Sequence, residues 1–251
     1  MSTLGWRLPD APLRTSVVAA NAFGLIAVVG LASVTRGRLL LGGTYPLKAG
    51  VVFAVVMLIA SGFVRDYHPF SHFGPANQLT TVRAMLMALV VGLIGEPAIR
   101  AVAASAAAVA FVATALDGVD GWLARRSRMA STFGARFDME IDAVLVMALA
   151  TLGWQHEKAG WWILFAGLLR YLFVSAGWVW PWLRRPLPPS RRRQAICVVQ
   201  VVGLGIVIVP AIMPPLSTTV AAAALTMLSY SFLVDVVWLW QHAGEPVEIA
   251  R

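Results

Sequence analysis

Apolar residues fill the chain in long blocks separated by short polar stretches, with no alternation at every second position. A membrane-crossing helix needs about 20 mostly apolar residues. Eight blocks approach that length: residues 15–35, 47–64, 79–95, 98–122, 138–154, 160–180, 195–213 and 217–240. Strands of a membrane barrel would alternate inward and outward residues, and these blocks do not. The pattern predicts an all-α integral membrane protein. The first block follows Arg7 and Arg14, yet it is longer than the apolar core of a secretory leader. It also lacks a small-residue cleavage site before Arg36, so it reads as a retained helix.

The polar run at 65–77, RDYHPFSHFGPAN, reads as a linker between an N-terminal hairpin (1–64) and a six-helix body (78–241), with a tail at 242–251. Composition agrees with the pattern. The 251 residues are 59% hydrophobic and 13% charged, whereas a soluble domain carries about 25% charged residues. Cys197 is the one cysteine, which excludes an internal disulfide, and it reads as a small apolar filler. The net charge of +8 would suggest nucleic acid in a soluble protein. In so apolar a chain it points to basic loops facing anionic headgroups or phosphate-bearing substrates, with no nucleic acid partner.

Cations set the orientation. With both ends inside, the cytoplasmic side collects fourteen Lys and Arg, including Arg83 and Arg125, and the outer side five: Arg36, Arg38, Lys48, Arg100 and Lys158. Three of those five lie at 36–48 and run against the rule. Tryptophans near the predicted helix ends, among them Trp161, Trp178, Trp180 and Trp240, read as an interfacial belt.

Five of the twelve acids fall between 117 and 142. Asp117 and Asp120 are three apart, Asp138 and Asp142 four apart, and such spacings put side chains on one helical face. If the fourth and fifth helices pack as an antiparallel hairpin, both pairs converge near the cytoplasmic boundary. Like charges raise one another's pKa, so the cluster needs compensation. Nearby arginines would give a purely structural ion-pair loop, whereas hard divalent cations such as Mg²⁺, Mn²⁺ or Ca²⁺ would give a two-metal site that grips phosphate oxygens. Glu140 lies on the opposite face and reads as structural.

The segment from Asp117 to Asp142 resembles the motif of the CDP-alcohol phosphotransferases, D-x2-D-G-x2-A-R-x8-G-x3-D-x3-D, at all eight fixed positions. Agreement by chance is on the order of one in a billion per start position. Pro75-Ala-Asn77-Gln-Leu-Thr80-Thr-Val-Arg83 resembles the start of that family's first core helix, with Ala76 inserted. The resemblance covers the six-helix body and leaves out the first two helices. It implies transfer of a phosphatidyl group from CDP-diacylglycerol to an alcohol acceptor, with release of CMP, by a homodimer in the cell membrane. It further implies Mg²⁺ or Mn²⁺, as two ions held by Asp117, Asp120, Asp138 and Asp142, with Asp142 also the general base. Gly121, Ala124 and Arg125 would line the nucleotide site, Gly134 would permit close packing, and Ser131, Thr80 and Arg83 would approach the nucleotide.

Arg170 lies inside the sixth helix, where an unpaired charge is costly. It matches by offset an arginine of glycerophosphate-transferring members of the family, although Tyr171 stands where an acid usually follows. The proline-broken segment from Arg184 to Gln194 carries five arginines, including Arg191, Arg192 and Arg193. It reads either as an anchor on the inner face or as a phosphate cradle, since arginine binds phosphate through two parallel hydrogen bonds. These cations favour a phosphorylated acceptor such as glycerol 3-phosphate or inositol phosphate. Two other classes compete: a transporter using the Asp cluster for cations, and a non-catalytic scaffold. His68 and His72, with Pro69 between them, make a poor metal pair, and Asp235 is a lone acid in the last helix.

Overall fold

The apolar blocks become eight α-helices in a computed structural model, which describes residues 10–70, 72–127, 129, 131–188 and 190–244. The side chains of Arg65, Asp66, Asp120, Ala124 and Arg125 lie outside that description. The helices are α1 (Leu13–Leu39), α2 (Tyr45–Tyr67), α3 (Pro75–Gly92), α4 (Arg100–Ser127), α5 (Thr132–Gln155), α6 (Phe165–Val179), α7 (Arg191–Ile208) and α8 (Leu216–Gln241). Short 3₁₀ turns at Trp161–Leu164 and Pro181–Arg184 flank α6, and no strand occurs among the described residues.

Helix ends differ from the apolar blocks where polar residues cap a helix. Pro75 takes the first turn of α3, after Gly74 at φ +79°, where its missing N–H is no loss. Asn77 therefore lies on α3 rather than in a linker, and the connection from α2 shortens to 68–74. Ser131 caps α5 by accepting the Gly134 N–H at 3.1 Å, so Asp138 sits nearly two turns inside the helix. Arg191, Arg192 and Arg193 form the first turn of α7 rather than a loop.

Five segments are long and apolar enough to cross a membrane: Leu13–Leu39, Tyr45–Val64, Arg100–Leu123, Trp161–Val179 and Leu216–Gln241. Their exposed faces are apolar, as in Phe23, Ile26, Leu172 and Leu233, and Trp161, Trp178, Trp180 and Trp240 are exposed at helix ends. The chain is a multi-pass membrane protein. Helices α3, α5 and α7 fall short of that apolarity, although eight crossings were expected. They are the helices whose polar residues turn inward: α3 buries Asn77, Thr80, Thr81 and Arg83.

Packing departs from the expected hairpin. Helix α4 packs on α3 and α7, and α5 packs on the same two helices, while α4 and α5 scarcely touch. Gly167 lets α6 lie against α5, since a Cβ there would stand 2.6 Å from Met147 Cα. The α1–α2 hairpin covers α3.

Two clasps fasten the end of the bundle away from the acid cluster. Glu96 accepts the Gly42 N–H and the Lys48 ammonium, each at 2.6 Å, and its carbonyl accepts Gln155 Nε2 at 2.7 Å. Lys48, one of the cations against the inside rule, is thus paired. Lys158, buried in the turn after α5, donates to the Ile212 carbonyl at 2.6 Å and to those of Val209 and Pro210 at 3.3 and 3.4 Å. Its own carbonyl accepts the Ser217 hydroxyl at 2.6 Å.

Burial alone would raise the Glu96 carboxyl, but hydrogen bonds from Lys48 and Gly42, with the Lys48 charge, hold it below the usual 4.5. A carboxylate with a depressed folded-state pKa adds stability above its unfolded value and loses it as pH falls through the folded one. Glu96→Gln should cost about 1–3 kcal/mol at pH 7. Thermal unfolding of the unaltered protein should weaken as pH falls below about 4.5, and the variant should lack that component. Equal melting of the two proteins at pH 7 would overturn the clasp.

Candidate active site

Acids from two helices meet across a gap that a third helix bridges. Helix α4 supplies Asp117, and α5 supplies Asp138 and Asp142 from one face. One oxygen from each lies within 4.8 Å of the others. Arg83 enters from α3 with its side chain 2% exposed. Its Nη1 lies 3.0 Å from Asp117 and also bonds Asp138, while Nη2 bonds the deeper Asp142. From α7, the Cys197 thiol points at the other Asp142 oxygen, at 3.6 Å. Asp138 is the most open of the three acids, at 33%.

The donor set suits a hard divalent cation. Oxygens on one Mg²⁺ at about 2.1 Å lie at most about 4.2 Å apart, so a small closure of carboxylates already within 4.8 Å would bring them onto one ion. One guanidinium cannot balance three carboxylates, which favours further positive charge. Asp120 is one turn along α4 from Asp117, and its side chain lies outside the described residues. The cavity among Arg83, Thr114, Asp117, Asp142 and Cys197 is about 10 Å³, room for about one water. Asp117 and Asp138 are the acids with a side open to the surface.

Other predicted site residues fall into three groups. Ser131 and Gly134 lie at the amino end of α5, where a Cβ on Gly134 would stand 2.8 Å from Asn77 Oδ1. Thr80 is buried on α3, donating to the Ala76 carbonyl at 3.1 Å. Gly121 is on α4, and the side chains of Ala124 and Arg125 lie outside the described residues. The predicted acceptor cations stand apart from the carboxylates. Arg170 pairs with Glu140 and reaches Met139 Sδ at 2.9 Å. Arg192 and Arg193 both bind Asp235, and Arg193 also donates to the Pro188 carbonyl. The Arg191 side chain makes no hydrogen bond or ion pair among the described residues.

Three partnerships were not foreseen. Cys197 is a neighbour of Asp142 rather than a filler. Arg83, expected to approach the nucleotide from the first core helix, binds the carboxylate cluster. His68 is buried, with Nδ1 3.1 Å from Ser131 Oγ. Only Arg83 had a local signal, a cation one turn beyond Thr80 in the upstream motif.

No curated protein and no solved structure matches the chain. A family model described as CDP-alcohol phosphatidyltransferase matches residues 73–238, about two thirds of the chain and all four helices around the carboxylates. Enzymes of that family use divalent metals and transfer a phosphatidyl group from a CDP-alcohol to an acceptor. With the family's aspartates converging at the end of a membrane bundle, the chain belongs to the CDP-alcohol phosphatidyltransferase family.

Proposed function

We propose that the protein transfers a phosphatidyl group from CDP-diacylglycerol to a phosphorylated alcohol, releasing CMP, in phospholipid synthesis at the cytoplasmic face of a cell membrane. The observation that carries this reading is the meeting of Asp117, Asp138 and Asp142 oxygens within 4.8 Å inside the family's motif. The cation bias of the loops supports the cytoplasmic side, and the family resemblance supports a homodimer.

Asp117, Asp138 and Asp142, together with Asp120, would hold Mg²⁺ or Mn²⁺. The bound cations would supply positive charge to the diphosphate oxygens of the donor. Phosphoryl transfer depends chiefly on charge neutralisation and in-line positioning. Arg83 holds the acids of α4 and α5 at fixed separation, and Arg125, Gly121 and Ala124 would receive the nucleotide. The acceptor hydroxyl attacks the phosphorus that carries diacylglycerol. The new O–P bond forms, the bond to CMP breaks, and the hydroxyl proton passes to Asp142. Buried between Arg83 and Cys197, Asp142 keeps one orientation, which a base needs to reach a hydroxyl at about 3 Å.

The acceptor phosphate is best served by arginines of the α6–α7 connection. A cleft of about 440 Å³ opens there, lined by Trp182, Arg184, Arg185 and Ala243. Arg185 caps the end of α8 through the His242 and Ala243 carbonyls. Arg184 and Arg191 are the free cations among the described residues of this segment, whereas Arg192 and Arg193 would have to leave Asp235.

Purified protein with Mg²⁺ or Mn²⁺ should release CMP from CDP-diacylglycerol when glycerol 3-phosphate or inositol phosphate is supplied. Product mass identifies the acceptor, and EDTA should stop release until metal is restored. Release with serine but neither phosphorylated alcohol would overturn the acceptor assignment. Asp142→Asn should lower turnover on the order of 10²–10⁴-fold while the protein still inserts and elutes as a folded species. Near-normal turnover of that variant would remove Asp142 from the role of base.

A further inference from the structure

The family match begins at residue 73, yet the chain just before it reaches the amino end of α5. His68, 4% exposed, follows the last turn of α2. Its Nε2 lies 2.8 Å from the His72 carbonyl and its Nδ1 3.1 Å from Ser131 Oγ. A carbonyl only accepts, so Nε2 carries a proton. Ser131 Oγ already accepts the Gly134 N–H at 3.1 Å, which leaves its own proton for Nδ1. A neutral imidazole satisfies both contacts at once.

The surroundings fix the ring. Phe70 and Phe133 stand edge-on to it, with centroids at 5.3 and 6.0 Å. Beside it Thr132 Oγ1 donates to the Tyr67 carbonyl at 3.1 Å, and the Arg136 guanidinium lies 4.8 Å over the Tyr67 ring. Residues 131–136 are thus gripped by the end of α2 and its connection, and the same helix presents Asp138 and Asp142 immediately afterwards.

We propose that His68 is a positioning residue of the donor site. It holds the Ser131 cap, and with it the first turn of α5, in the position from which that helix and its Asp138 and Asp142 meet the diphosphate of a CDP-linked donor. The N-terminal hairpin is then a working part of the enzyme, although it lies outside the matched family region. This inference rests on the transferase reading above.

The test compares His68→Ala, His68→Asn, His68→Gln and Ser131→Ala in the full chain, by donor KM, kcat and calorimetric CMP binding. His68→Ala should raise the donor KM and the CMP Kd by about tenfold with kcat within about twofold, the pattern of lost ground-state binding. Asn carries its side-chain oxygen near the Nδ1 position and should restore most of the loss. Gln carries its amide near Nε2 and should not. Adding His68→Ala to Ser131→Ala should cost nothing further, since the two act through one hydrogen bond. Additive losses, equal behaviour of Asn and Gln, or a defect confined to kcat would overturn the proposal. The Asn and Gln comparison decides it even where His68→Ala does not fold. Failure of the unaltered protein to bind CMP would overturn the transferase reading and this inference with it.

Discussion

Three carboxylates within 4.8 Å of one another at the end of an apolar bundle repel by about 4 kcal/mol per pair at 4 Å and an effective dielectric of about 20. Arg83 is what allows them to coexist in the described structure. Its planar fork reaches Asp117 and Asp138 through one nitrogen and Asp142 through the other, whereas the ammonium of a lysine is a single point charge. Burying a guanidinium is costly unless every partner stays in place. The helices are arranged accordingly. Helix α3 lies between α4 and α5, and α7 closes the opposite side. The gap between α4 and α5 is occupied by this charge web, which a tight hairpin would exclude.

The same constraint explains which helices are apolar. Helices α1, α2, α4, α6 and α8 supply the candidate membrane spans, whereas α3, α5 and α7 carry the other polar side chains of the cluster, with Asp117 coming from the end of α4. Polar side chains on α3 find partners one turn back: Thr81 donates to the Asn77 carbonyl at 2.9 Å, and Asn77 to the Phe73 carbonyl at 2.6 Å. At the far end, Glu96 and Lys158 tie loops that are distant in sequence. Burial, with Arg100 nearby, lowers the Lys158 ammonium below its ordinary value, and the ring of carbonyls around it offsets part of that cost. One end of the bundle is thereby fastened, and the other is held by the Arg83 web and by the contacts of His68 and Tyr67 with the start of α5.

Helix number and the acid cluster were legible because both are local. A block of apolar residues declares a buried or lipid-facing helix by itself, and spacings of three or four align acids without knowledge of any other segment. Partnerships across space were not. Nothing near Arg170 in sequence announces Glu140, and nothing near Arg192 announces Asp235; both pairs depend on which helices become neighbours. Ser131 and Asn77 decide where α5 and α3 begin, yet both lie in stretches that hydropathy assigns to connections. Cys197 is indistinguishable from a filler until α7 is set beside α5, and His68 reads as a linker residue until the connection folds onto Ser131.

Pairing also sharpens the choice among the basic residues. An arginine already bound to a carboxylate gains little by turning to a phosphate, because it abandons one charge-assisted contact to make another and leaves the acid behind. Asp235 is held by both Arg192 and Arg193. Removing either cation for an incoming phosphate would still leave the acid partnered, but removing both would strand a buried carboxylate, a loss of about 3–5 kcal/mol. Cations at the start of a helix also oppose its dipole, so Asp235 has a structural reason to stay between them. Arg184 and Arg191 carry no such obligation among the described residues. An incoming anion would therefore meet the edges of the arginine segment at lower cost than its middle, where Asp235 already holds both cations.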